Sequence, residues 1–298
     1  MSSSSPSSLL PEIAAKFGNV ELVAKHAVEG FLQGTHRSRH KGFSIEFAEH
    51  RQYVPGDDLR YLDWQVYART DNYYIIQYEA ETNCRIYVML DVSNSMNFGS
   101  GSISKLQYAS YCAGALAYLV IKQRDNFGLL TFDSAIRTHL EPRSSPMHLA
   151  EIFRILDQTE PGSPTDFPGV FDRFSSSVRK RSLILVFSDL FEDIETIRRA
   201  LVSLRFHGHE VGLFQILDHE ELSFPYRGFS QFEGLEDEPQ LRADPESIRR
   251  EYLHELNNFT AEVRRLCSSH QIDYCLVDTS QPFDRVMSEY LERRSRYG

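Results

Sequence analysis

Cysteine is scarce in this chain, long hydrophobic runs are missing, and basic residues are outnumbered by acidic ones. The four cysteines, Cys84, Cys112, Cys267 and Cys275, form no C-x-x-C pair, so their spacing offers neither a zinc site nor a disulfide framework. Cys84, Cys112 and Cys275 stand in apolar stretches, as buried free thiols do, which points to a reducing compartment. No run approaches the roughly 18 apolar residues that span a bilayer. The Ser-rich residues 1–8 lack the basic and apolar regions of a signal peptide and read as disordered. A soluble, cytoplasmic chain with no membrane span is expected. Lys and Arg total 32 against 42 Asp and Glu, a formal net charge of −10, which excludes a chain-wide basic face for nucleic acid. Walker, G-x-S-x-G and H-E-x-x-H runs are absent, and no G-x-G-x-x-G follows a strand, so P-loop nucleotide, nucleophile-elbow, zincin and dinucleotide chemistry are not expected.

What is present is a regular alternation. Residues 9–32 carry apolar positions at helical spacing with a break at Gly18-Asn19. Residues 34–42 form a basic connector in which His36, Arg37, Arg39, His40 and Lys41 read as a solvated loop sooner than as a phosphate or acidic-partner site. From residue 43 to 81 the chain is aromatic and charged, with a strand near residues 73–78. From residue 85 onward short apolar runs (85–91, 126–132, 182–189, 210–217, 272–277) alternate with amphipathic stretches (105–123, 147–156, 167–178, 194–206, 246–269, 283–294). This pattern predicts an α/β fold with a doubly wound, mostly parallel sheet, residues 135–140 being a hairpin partner to the second strand. Residues 218–245, with Pro225, Gly228, Gly234, Pro239 and Pro245, read as an insertion or long loop.

Two of the buried strands end in an acid, Asp91 and Asp189. In an open α/β sheet ligands bind beyond the carboxyl ends of the strands. Asp91-Val92-Ser93-Asn94-Ser95 places one carboxylate and two hydroxyls on one side of a tight loop, and Thr165 in Gly162-Ser163-Pro164-Thr165-Asp166 offers a third hydroxyl. Hard oxygen donors of this kind suit Mg²⁺, Mn²⁺ or Ca²⁺ rather than zinc. A phosphoaspartate hydrolase would need a second acid where Ser93 stands. A metal-dependent phosphoester hydrolase remains the alternative, with Asp166 as its candidate base or as a helix cap. Asp133 reads as a strand-end turn residue, with a place near the metal as the alternative, and His207 and His209, which bracket Gly208, as a helix-to-strand turn with no third ligand.

The order Asp91, Ser93, Ser95, Thr165, Asp189 resembles the metal ion-dependent adhesion site of the von Willebrand factor A-like fold, and the resemblance covers residues 84–298. It implies hydroxyls bound directly to the ion, some carboxylates acting through water, and an open position that a partner's carboxylate can fill. A second resemblance covers the earlier part: Gly34-Thr35-His36-Arg37-Ser38, Phe47, Tyr53-Val54-Pro55-Gly56-Asp57-Asp58-Leu59-Arg60, Asp63-Trp64, Ala68-Arg69 and Glu79-Ala80-Glu81 are similar to the signature of a bacterial family called "domain of unknown function fifty-eight". That resemblance implies a non-catalytic partner of a MoxR-type AAA+ ATPase, working as an adaptor or chaperone-like factor on a client protein. Many members carry transmembrane helices, and this chain looks like the soluble subgroup. Among the signature residues, Tyr53, Gly56, Asp57, Asp58, Arg60, Asp63, Trp64 and Arg69 are structural or recognition candidates. Pro55-Gly56-Asp57 reads as a turn, with Asp58 and Asp63 pairing Arg60 and Arg69 and Trp64 as a packing anchor.

Overall fold

The computed structural model of the chain describes residues 11–35, 49–54, 67, 69, 72–77, 84–228, 230–232 and 241–297. Helices α1 (Pro11–Phe17) and α2 (Val20–Thr35) are separated at Gly18, whose φ of +60° is left-handed and suits a residue without Cβ. Asp157 completes this junction by accepting the Val20 N–H at 2.8 Å, so the start of α2 is capped from a distant part of the chain. Strands β1 (Glu49–Gln52) and β2 (Tyr74–Gln77) pair antiparallel. Residues 1–8, the basic connector from His36 to Lys41, and Gly56, Asp57, Asp58, Arg60, Asp63 and Trp64 lie outside the described residues. Tyr53 is half-buried, donates its N–H to the Tyr73 carbonyl at 2.9 Å and meets the Tyr73 ring edge-on, while Arg69 is exposed.

The central sheet has six strands: β3 (Arg85–Asp91), β4 (Asn126–Phe132), β5 (Ile136–Arg143), β6 (Leu183–Ser188), β7 (Glu210–Leu217) and β10 (Asp273–Asp278). Their spatial order is β10-β7-β6-β3-β4-β5, and only β5 runs antiparallel. Strands covered on both faces need apolar residues at every position, which is why β3, β4 and β6 read as continuous hydrophobic runs. The alternation is still legible in the packing. Ile86, Val88 and Leu90 join one core, and Tyr87 and Met89 join the other.

The first core is closed by α2, α3 (Lys105–Lys122), α4 (Pro146–Asp157) and α9 (Phe283–Tyr297). The N-terminal helix is therefore part of the main core: Val23 and Ala24 of α2 are fully buried there, and Gly114 of α3 faces Val20 so closely that a Cβ would collide with it. The second core is closed by α5 (Phe167–Ser177), α6 (Ile194–Phe206) and α8 (Pro245–Ser269). Phe167, Phe171 and Phe174 lie along one side of α5 and meet Phe132 and Tyr87 edge-on. A buried aromatic in such a position contributes about 3 kcal/mol or more when compared with alanine.

Residues 218–245, expected as an insertion or loop, carry structure of their own: a short helix α7 (His219–Ser223) and an antiparallel pair, β8 (Ser230–Phe232) with β9 (Leu241–Ala243). All four cysteines are free; Cys112, Cys267 and Cys275 are buried and Cys84 is partly exposed. Among the described residues no helix is long and apolar enough to cross a membrane.

Candidate metal centre

Strand order reverses between β3 and β6. The chain proceeds from β3 outward to β4 and β5 on one side, and through β6, β7 and β10 on the other. At such a switch point the two connections leave in opposite directions and open a crevice at the carboxyl ends. Asp91 ends β3 and Asp189 follows β6, so both acids stand at this crevice.

Asp91 is 1% exposed and is surrounded by donors. Its Oδ1 accepts the Ser93 N–H at 2.9 Å and the Thr165 hydroxyl at 3.2 Å, and its Oδ2 accepts the Ser188 hydroxyl at 2.6 Å. The Ser93 and Ser95 hydroxyls lie 3.1 Å apart, both buried, because residues 94–97 wind into a 3₁₀ turn directly after the strand. Burial, and after it the Asp189 carboxylate, pushes Asp91 well above the usual carboxylate range, to about 7, although the Ser188 and Ser93 donors act in the opposite direction.

Thr165 reaches Asp91 because its loop is tied down. Gly162 N–H donates to the Val92 carbonyl at 2.6 Å. The buried Asp133 carboxylate accepts Ser163 N–H at 2.9 Å and is gripped by Arg137 through Nε at 2.8 Å and Nη2 at 2.6 Å. Asp133, expected as a turn residue, thus also anchors the Thr165 loop. Glycine is required at 162, where a Cβ would run into the Asp133 carboxylate. Asp166 caps α5 by accepting Gly169 N–H at 3.1 Å.

Asp189 is placed differently from the other four. Its Oδ2 accepts from the Lys105 ammonium at 2.8 Å, and its Oδ1 from Phe191 N–H at 3.3 Å. Lys105 also donates to Glu221 Oε1 at 2.8 Å, so one buried ammonium bridges the β6 end and α7. Burial by itself would lower the Lys105 pKa; Asp189 and Glu221 outweigh it and hold the amine above its ordinary value. After Asp189 the chain turns through Leu190 at φ +60°, a conformation costing a side-chain-bearing residue about 1–2 kcal/mol. Leu190 is buried by that turn, and Phe191 beside it is 64% exposed.

The structure therefore gathers Asp91, Ser93, Ser95 and Thr165 around one buried carboxylate, with Asp189 facing it from a lysine-bound position. The donor set is all oxygen, three hydroxyls and two carboxylates; Lys105 answers the charge of Asp189, while buried Asp91 is met by hydroxyls and an amide. That chemistry fits a hard divalent ion. His207 and His209 lie in the turn from α6 to β7 around Gly208 at φ +83°, and among the described residues no group of three or more His, Cys, Asp or Glu gathers that could hold a metal. Sequence reasoning missed Ser188, Lys105 and Glu221. Lys105 left one trace, a charged residue opening an otherwise apolar helix directly after the Ser104 cap.

The family described as "Protein of unknown function DUF58" matches residues 49–262. The "Uncharacterized protein Rv1480" of Mycobacterium tuberculosis is 29% identical over 221 residues, 72% of this chain and 68% of that protein. Among solved structures, the conserved hypothetical protein BatB from Bacteroides thetaiotaomicron aligns with 72% of this chain and 100% of its own at 15% identity and a TM-score of 0.49. A von Willebrand factor type A protein from Catenulispora acidiphila aligns with 71% of this chain and 42% of its own at 12% identity and a TM-score of 0.40.

Proposed function

This chain belongs to the DUF58 family, and from that premise we propose that it is a non-catalytic, divalent-cation-dependent protein-interaction module acting as an adaptor or chaperone-like partner of a MoxR-type AAA+ ATPase. The module spans residues 84–298, with α2 closing its first core. Asp91, Ser93, Ser95, Thr165 and Asp189 hold the ion, Mg²⁺ in the first place, with Mn²⁺ or Ca²⁺ as substitutes. Bound there, it supplies a Lewis-acidic position that a carboxylate of the partner fills.

The single observation that supports this most is the convergence on Asp91: hydroxyls from β6 and from the Thr165 loop, and an amide from its own loop, all aimed at one buried acid at the switch point. The chain's own residues then divide the work. Asp133 and Arg137 hold the Thr165 loop in place. Phe191 presents an exposed aromatic at the rim, a side chain well suited to a protein contact. A hydrolase would want a base free beside the site, and Asp166 is engaged as the cap of α5.

The test is capture from native lysate on the immobilised full chain, with Mg²⁺ and with EDTA, alongside Asp91→Ala and Ser93→Ala. A MoxR-type ATPase retained by the wild type in Mg²⁺, and lost with EDTA and with either variant, is the expected result. Identical eluates from all four would defeat the reading. Turnover of a generic phosphoester by the chain alone would replace it with the hydrolase.

A further inference from the structure

Lys105 is the feature of this crevice that a hydroxyl-and-carboxylate cation site does not require. Its side chain is 3% exposed, and its ammonium lies 2.8 Å from Asp189 Oδ2 and 2.8 Å from Glu221 Oε1. It is well anchored. The Lys105 N–H donates to the Phe98 carbonyl at 2.8 Å, the Phe98 ring lies 5.8 Å from the ammonium, and Glu221 accepts the Asp218 N–H at 2.7 Å. Asp218 is fixed in turn by the Ser100 N–H at 3.1 Å and the Thr279 hydroxyl at 3.2 Å. The ammonium therefore has little freedom to swing out of the crevice.

We propose that Lys105 is the affinity-setting residue of the cation site: a built-in counter-ion whose charge, fixed on Asp189, weakens the site's hold on a divalent ion, while Glu221 offsets that effect. The inference rests on the cation-binding reading above. Its physical basis is that charges a few ångströms apart interact strongly where water is excluded. A divalent ion beside Asp91 meets one carboxylate already neutralised, and feels Lys105 as a like charge.

A merely structural role, in which Lys105 staples α7 to the sheet, makes every disruption harmful in the same direction. A charge-setting role makes the two partners act with opposite signs. Lys105→Met removes a positive charge and tightens binding. Glu221→Gln removes a negative charge, leaves Lys105 to Asp189 alone and weakens binding. The double variant keeps the wild-type net charge and returns towards the wild-type affinity.

The experiment is equilibrium titration of the full chain with Mn²⁺, free ion being read by electron paramagnetic resonance, with Mg²⁺ as competitor and circular dichroism confirming the fold. Expected are about tenfold or more tighter binding for Lys105→Met, about threefold weaker for Glu221→Gln, and the double variant within about threefold of wild type. Uptake by Lys105→Met where the wild type takes up none supports the proposal in its extreme form. Any other sign pattern overturns it, and Glu221→Gln, which keeps the Lys105–Asp189 pair, decides the matter if Lys105→Met does not fold. Wild-type binding that Asp91→Ala abolishes leaves the cation reading standing even when the Lys105 variants refute the inference. Absence of binding in wild type, Lys105→Met and Asp91→Ala alike removes both.

Discussion

At the amino-terminal end of the sheet, Glu210 accepts from Arg181 at 2.9 Å and from Arg294 at 2.6 Å; at the carboxyl-terminal end, Asp91 is held by hydroxyls and an amide and faces Asp189. Burial acts to raise both acids. Around Glu210 the two arginines reverse it and leave the carboxyl below its ordinary value, whereas Asp91 is driven up to about 7. Both ends tie together elements distant in the chain; at the carboxyl end Lys105 answers Asp189 and Arg137 answers Asp133, but Asp91 is met by hydroxyls and an amide. A compensated acid is architecture. An acid buried without a matching cation costs folding energy, and such sites cluster where a ligand is bound.

The comparison breaks first on cation response. Divalent ion at a hundred times its dissociation constant adds about 2.7 kcal/mol to stability, so saturating Mg²⁺ is expected to raise the melting temperature of the wild type by several degrees and to leave Asp91→Ala unmoved. Equal melting curves with and without ion would reduce the carboxyl end to the same structural status as the amino end. Next in size is Gly162→Ala, whose Cβ displaces the Asp133 carboxylate and with it the Thr165 loop. Roughly tenfold weaker Mn²⁺ binding with the fold retained is expected, and unchanged affinity would show that Thr165 is dispensable.

A smaller effect sharpens the contrast in pH. The Asp91 carboxyl titrates near 7 in the fold against 3.8 for the ordinary side chain. Its ionisation therefore costs stability that appears as pH rises above about 4 and is complete above about 7. In EDTA, Asp91→Asn is expected to melt a few degrees above wild type at pH 8 and level with it near pH 4; a constant difference across that range would refute the assignment. For Glu210 the sign is opposite. Its contribution is full above the ordinary glutamate value and is lost as pH falls through the depressed one. With the carboxylate 39% exposed and screened, Glu210→Gln is expected to cost about 0.5 kcal/mol at pH 7 and less at pH 3. Urea unfolding at the two pH values measures it.

Much of this was legible along the chain, for identifiable reasons. The strand-end acids Asp91 and Asp189 stood out because a buried run ending in a carboxylate is a local pattern, and the break at Gly18 because glycine before a helix start is local too. Ser93, Ser95 and Thr165 were named from spacing, and the structure brings all three to Asp91's side. Lys105 was hidden: its partners lie 84 and 116 residues away, and nothing in an apolar helix announces which face its one early charge will take. The short elements α7, β8 and β9 escaped because proline and glycine around them read as irregular chain.

Hydrophobic periodicity by itself determined the class of fold and the sheet's buried character, since these follow from which side chains recur at helix and strand spacing, and the acids and hydroxyls that follow the buried strands determined the chemistry available at its carboxyl edge. Only the tertiary structure decided how charge is distributed at that edge. Coulomb forces act through space and depend on burial, so whether Asp189 meets an ion, a water or the ammonium of Lys105 is settled by which helix packs over it and not by the residues beside it in the chain.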